Sequence, residues 1–175
     1  MISKKVKDII RSVSDFPKKG IDFKDITPLL LNHKISDEIV NEFINKLSHI
    51  NIDAIVGVES RGFLFGFLLA NKMGIPFIPI RKAGKLPSKT ISVAYELEYG
   101  VSEIEIHIED IQPGWNILIH DDLLATGGTA LASCQLIEEA NAKIAAFAFV
   151  VSLDFLNAKD KLIKYSKNII SLVEY

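Results

Sequence analysis

Asp121 and Asp122 stand side by side at the end of the apolar run ILIH, and after two leucines comes ATGGT, residues 125–129. Paired carboxylates in a packed core carry a heavy desolvation cost, so they must face a crevice, cap a helix or meet a partner. Ala125, Thr126, Gly127, Gly128 and Thr129 offer backbone N–H groups unobstructed by large side chains, together with two hydroxyls. At the start of a helix, where the potential is positive, such a turn suits a phosphate. A plain strand-to-helix turn with an acidic cap accounts for the glycines equally well. The chain lacks GxxxxGK[ST], and GxGxxG is absent from this turn, so neither a Walker loop nor a dinucleotide fingerprint is supported. A phosphate cradle beside two carboxylates fits a sugar phosphate, with its phosphate in the turn and its hydroxyls on the acids.

Four other stretches carry candidate chemistry. VGVESRG places Glu59, Ser60 and Arg61 after an apolar run. The arginine fork fits phosphate oxygens, whereas a surface Arg61–Glu59 pair would contribute only about 0–1 kcal/mol. RKAGKLPSK brings Arg81, Lys82, Lys85 and Lys89 together without an acid. It is either a solvated loop or a seat for a polyanion. In YELEYG, Glu96 and Glu98 share one side of an extended segment, and solvated carboxylates would look the same. DFKDI offers Phe23 as a flat apolar face between Asp22 and Lys24, although phenylalanines in proteins are mostly core residues. His33, His49, His107 and His120 show no ligand spacing with Cys134 or one another, which argues against a protein-held transition metal.

These residues need elements to hold them. VKDIIRSV fits a short helix ended near DFPKKG by proline and glycine. Residues 36–49 predict a helix capped by Ser36, with Ile39, Phe43 and Leu47 on one face. DAIVGV, NILIHDD and KIAAFAFVVSL read as buried strands, and NIISLVEY as a short last one. IPFIPI reads as a short or edge-placed strand because of its prolines. SRGFLFGFLLANKMG, ended by Gly74, and GTALASCQLIEEANA read as helices. EIEIHIED predicts a half-solvated strand, glutamates out and isoleucines in. Residues 84–100, glycine-bounded, fit either a hairpin or a long mobile loop. Strand–helix–strand order with near-continuous apolar strands predicts an α/β fold with a parallel sheet covered on both faces.

The chain has 175 residues, 49% hydrophobic and 24% charged, with a formal net charge of −2. That composition is globular, and the absence of a basic excess argues against nucleic acid as a partner. Without a run long enough to cross a membrane or a signal-like start, a cytoplasmic protein is expected. The single cysteine, Cys134, excludes an intrachain disulfide, suits a reducing compartment and reads as a small core residue.

ILIHDDLLATGGT resembles the phosphoribosyl pyrophosphate motif of type I phosphoribosyltransferases. VGVESRGFLFG, RKAGKLP, YELEYG and DFPKKGIDFKDITPLL are similar to stretches of the adenine-using branch of that family, in the expected order along nearly the whole chain. The resemblance implies one domain, 1–175, with a central mostly parallel sheet flanked by helices, an N-terminal hood over about 1–35 and a flexible lid over about 84–100. It implies transfer of a phosphoribosyl group from phosphoribosyl pyrophosphate to adenine, giving AMP and pyrophosphate. Mg2+ would be held mainly by substrate oxygens and water, with no direct protein ligand, in a homodimer.

By the same resemblance Asp121, Asp122 and residues 125–129 hold the ribose and 5′-phosphate. Glu59, Ser60, Arg61, Arg81, Lys82, Lys85 and Tyr99 surround the pyrophosphate, some of the cations reaching from a neighbouring subunit. Asp22, Phe23, Lys24 and Leu123 hold the adenine, and Glu98 exchanges a proton with it. Two residues depart from the family pattern: Lys24, where arginine is frequent, and His120, where an aliphatic residue is usual and a packed strand residue is expected. A sister transferase for another purine would lack LEYG and FKDI. A phosphoribosyl pyrophosphate-sensing regulator that binds nucleic acid would want a basic face that this chain lacks.

Overall fold

The computed structural model describes every residue except Glu98 and Tyr99. Seven strands form one sheet in the order β5-β6-β4-β3-β7-β8-β9. β4 (Phe77–Lys82), β3 (Ala54–Val58), β7 (Asn116–Leu124), β8 (Lys143–Ser152) and β9 (Ile169–Glu174) run parallel. β5 (Thr90–Leu97) and β6 (Gly100–His107) pair antiparallel and extend the β4 edge.

Alternation along each inner strand feeds two cores. Ile117, Ile119, Phe147 and Phe149 pack with Leu136 and Ile137 of α5 (Gly128–Glu139) on one face. Leu118, Ala146, Ala148 and Val150 pack on the other, with Ile39 and Phe43 of α3 (His33–Leu47) and Phe65 and Leu69 of α4 (Gly62–Met73). Buried on both sides, these strands can be continuously apolar. Cys134 lies in the first core, fully buried, and burial pushes its thiol up to about 12.

Several elements differ from the sequence reading. The first helix, α1, spans Ile2–Ile9, earlier than its apolar spacing suggested, and Arg11–Ser14 is strand β1. β1 pairs antiparallel with β2 (Asp22–Asp25), a contact that local periodicity does not encode. α3 starts at His33, because Asn32 accepts the N–H groups of Lys34 and Ile35 through its side chain. Ser36 lies inside that helix and donates to the Leu29 carbonyl. β4 is an inner strand. Its one proline, Pro79, is tolerated because β6 joins β4 only at Arg81 and Lys82, beyond it. Residues 84–100 supply one arm of a hairpin rather than a whole one: β5 pairs with β6, which lies beyond that stretch save for Gly100, from Thr90↔His107 to Leu97↔Gly100. Short elements α2 (Thr27–Leu30), α6 (Ala158–Leu162) and two single 3-10 turns were not legible.

Glu105 breaks the predicted alternation. It is buried, its Oε1 accepting the N–H groups of Lys85 and Leu86 and its Oε2 the Thr90 hydroxyl. Burial raises its pKa, but N–H bonds from Leu86, Gly84 and Lys85 outweigh that and hold it below the usual carboxylate range. The carboxylate therefore anchors the cationic loop to the sheet.

Candidate active site

The chain leaves β3 for β4 in one direction and β7 for β8 in the other. The carboxyl ends of β3 and β7 thus flank the point where strand order reverses, the usual ligand crevice of an open parallel sheet. Residues 59–61 follow β3 and residues 125–129 follow β7, so two candidate stretches far apart in sequence meet there.

A cavity of about 460 Å³ at this crevice is lined by Glu59, Ser60, Arg61, Lys82, Asp121 and Asp122, with Tyr95 on the hairpin side. Gly62 makes the approach of α4 to β7 possible: a Cβ there would stand 2.9 Å from Asp121 Oδ1 and 3.0 Å from the His120 carbonyl. Arg61 does not pair with Glu59. Its Nε lies 2.6 Å from Asp122 Oδ2, and its guanidinium sits 5.1 Å from the centre of the Phe23 ring. The approach to Asp122 lacks hydrogen-bonding geometry, but at 2.6 Å it ion-pairs that buried carboxylate oxygen with the guanidinium. Glu59 instead takes Arg81 Nε at 3.2 Å and the Lys82 N–H at 2.9 Å. Burial raises the Glu59 pKa, and these donors bring it below its ordinary value. The Glu59–Ser60 peptide is cis.

Asp121 accepts the Asp122 N–H at 2.8 Å. Burial and the adjacent Asp122 charge push Asp121 well above the usual carboxylate range, with Arg61 opposing. The pair is therefore primed for a cation or for hydroxyl donors.

The turn after β7 encloses a small hollow of about 70 Å³ walled by Ala125, Thr126, Gly127, Gly128 and Thr129. Gly127 caps α5 with φ +85°, a left-handed conformation that glycine adopts without penalty. First-turn N–H groups of α5 have no intrahelical acceptor, so the hollow presents donors and the positive end of the helix dipole. Two neighbours brace it that sequence reasoning missed. Tyr95 OH lies 3.1 Å from Thr129 Oγ1, and Lys161 Nζ donates to the Thr126 carbonyl at 3.1 Å. Tyr95 lies within YELEYG, but its register across the hairpin was not readable; Lys161 carried no signal at all.

A third cavity, about 560 Å³, is lined by Asp22, Phe23, Lys24, Leu123, Thr126 and Tyr175. Leu123 borders all three spaces. Lys24, nearly buried, is bound through Nζ to Asp22 Oδ2 at 2.7 Å and Ser12 Oγ at 2.9 Å. Arg81 and Lys85 are brought near the crevice only indirectly: Arg81 Nη1 donates to the Lys85 carbonyl, and the exposed Lys85 does not line the cavity among the described residues. Glu98 and Tyr99 lie outside the described residues. His120 is packed, as expected, its ring edge-on to Phe43. Neither ring nitrogen has a hydrogen-bond partner among the described residues, and burial pushes its pKa down to about 4; the Ala148 backbone opposes that shift without reaching hydrogen-bonding geometry.

A phosphate hollow, a carboxylate pair and a cationic loop surround one crevice, and the whole chain is similar to known proteins. The phosphoribosyl transferase domain model matches residues 26–173. The chain belongs to the phosphoribosyltransferase family. It is 47% identical over 175 residues to the adenine phosphoribosyltransferase of Cytophaga hutchinsonii, covering 100% of this chain and 97% of that one. With that of Methanococcus vannielii the identity is 50%, over 95% of each chain. Among solved structures, adenine phosphoribosyltransferase from Thermoanaerobacter pseudethanolicus superposes with a TM-score of 0.95 at 43% identity over 100% of both chains. The Saccharomyces cerevisiae enzyme, crystallised with adenine and an imino-altritol bisphosphate, gives a TM-score of 0.91 at 38% identity over 98% of both chains. No helix among the described residues is long and apolar enough to cross a membrane.

Proposed function

We propose that this protein is an adenine phosphoribosyltransferase, transferring the phosphoribosyl group of phosphoribosyl pyrophosphate to adenine with release of pyrophosphate and formation of AMP. The observation that carries the reading is the junction at Leu123, where the donor crevice, the phosphate hollow and an apolar pocket faced by Phe23 adjoin. Residues 125–129 grip the 5′-phosphate through N–H groups, a handle whose binding energy orients the anomeric carbon. Asp121 and Asp122 take the ribose hydroxyls and place negative charge beside the ring as it becomes cationic. Arg61 and Lys82 receive the charge of the departing pyrophosphate, with Glu59 holding Arg81 and the Lys82 backbone in place. Lys85, on the same loop with its N–H held by Glu105, adds its charge to theirs, with the 84–100 segment as a lid and residues 1–35 as a hood. Tyr99 stands beside Glu98 on that segment, and Glu98 removes the purine ring proton as the new bond forms.

The paired carboxylates Asp121 and Asp122, which line the crevice, would suit a hydrated Mg2+ reached through water. Mg2+ there supplies charge neutralisation for the pyrophosphate. The homodimer is supported by α4, whose Leu64, Phe67 and Leu68 are exposed large apolar side chains. The buried free thiol of Cys134 fits a cytoplasmic setting.

Incubation with adenine, phosphoribosyl pyrophosphate and Mg2+ tests the reading. AMP and pyrophosphate in equal amounts are expected. No AMP with a folded protein, or pyrophosphate release that ignores the base, would overturn it.

A further inference from the structure

We infer that Tyr175 is a positioning residue for base selection, which holds the Lys24 ammonium away from the base so that the backbone of β2 reads the purine edge. The inference rests on the base pocket proposed above. Tyr175 lines that pocket, and Lys24 Nζ lies 4.3 Å from the centre of its ring. Lys7 of α1 lies over the same ring at 4.4 Å. A phenol ring gives cations an electron-rich face, and here it gathers one from α1 and one from β2. The tail itself is fixed: the Tyr175 N–H donates to the Ser152 carbonyl, and its own carbonyl accepts from Asp154. Tyr175 therefore ties the N-terminal elements to the end of the parallel sheet, at the wall of the pocket.

Asp22 Oδ2, Ser12 Oγ and the Tyr175 ring together occupy the Lys24 ammonium. β2 pairs only with β1 among the described residues, so its other edge keeps backbone donors and acceptors. A backbone edge presents a fixed pattern, and a carbonyl of that edge opposite the six-position would accept from a 6-amino group and repel a 6-oxo one. A loose lysine would present a mobile donor to which a 6-carbonyl is the better acceptor. Releasing Lys24 should therefore weaken adenine binding and admit hypoxanthine.

The test is steady-state kinetics of the full chain with adenine and with hypoxanthine. In Tyr175→Leu we expect KM for adenine to rise about tenfold, the size of one lost polar contact. The adenine-to-hypoxanthine ratio of kcat/KM should fall by a similar factor, with kcat and KM for phosphoribosyl pyrophosphate little changed. Tyr175→Phe keeps the ring and should restore the ratio. In a Lys24→Met background Tyr175→Leu should no longer change it. Tyr175→Met, which fills much of the volume without an aromatic face, gives the same reading if the leucine variant does not fold. An unchanged ratio in both ring-less variants overturns the inference, as does an equal fall in the Lys24→Met background, which would make Tyr175 a plain wall. Phe23→Ala separates the two failures: if it also leaves KM for adenine unchanged, the base pocket itself is wrong.

Discussion

The phosphate hollow and the base pocket adjoin at Leu123, yet they are built in opposite ways. The hollow is one continuous stretch, the end of β7, a turn and the start of α5, and its chemistry resides in backbone N–H groups. The base pocket is assembled from β2, β7, Leu153, Phe155 and Leu156 after β8, and the residue after β9, so side chains from several segments wall in the β2 backbone edge. A backbone hollow tolerates few changes of conformation, and distant segments only brace it, through Tyr95 and Lys161. A side-chain pocket tolerates local change but fails when any of its contributing segments moves.

The largest effect should come from Glu98→Gln, which we expect to fold normally and turn over roughly a hundred to ten thousand times more slowly, the range for a lost proton-transfer group. Single-turnover rates with adenine measure it, and full activity would remove Glu98 from the reaction and leave the base side without an acid/base group.

Gly127→Val attacks the hollow. A β-carbon there would meet the Ala158 Cβ at 3.1 Å, in a backbone conformation with φ +85°. Left-handed strain of about 1–2 kcal/mol plus displacement of α6 should weaken phosphoribosyl pyrophosphate about a hundredfold, with some loss of stability. Calorimetric titration checks this. Unchanged donor affinity would mean the turn is only a turn.

This contrast also governs what the sequence disclosed. The hollow was legible because strand, turn and helix are contiguous, so apolar run, glycines and hydroxyls can be read in order. Arg61 is legible as a phosphate-binding residue, but its contacts with Asp122 and Phe23 depend on the sheet order that brings β3 beside β7. Tyr175 gave no signal, since a terminal tyrosine becomes a pocket wall only through β9 pairing with β8. Arg11–Ser14 looked helical for the same reason: the partner that makes it a strand is distant. Glu105 looked solvated because alternation predicts facing, not the backbone donors of the loop that folds over it.

His120 lies on the strand that serves both regions and should move stability alone. Its folded pKa of about 4 lies below the ordinary 6.5. Between those values the unfolded chain binds more protons, so stability is present above about pH 6.5 and is lost as pH falls. The loss near pH 5 is about 2 kcal/mol. His120→Val should remove that slope, read from urea midpoints at pH 7 and near pH 5; an identical slope would show that His120 does not titrate as a buried group.

Tyr95→Phe should have the smallest effect. Losing the hydroxyl that meets Thr129 should raise KM for phosphoribosyl pyrophosphate by about two- to tenfold, the worth of one hydrogen bond, with KM for adenine unmoved. A change confined to adenine would place the hairpin over the wrong region.

Both regions must act together on one substrate pair, and base choice reports that most directly. Adenine and hypoxanthine differ at the six-position, amino donor against carbonyl acceptor, so a polar edge built for one leaves buried groups unpaired with the other. Sites of that kind discriminate by about a hundredfold or more. The deciding measurement is kcat/KM for each base at saturating phosphoribosyl pyrophosphate. The account expects adenine to win by at least that factor, and near-equal values would contradict the base pocket while leaving the phosphate hollow standing.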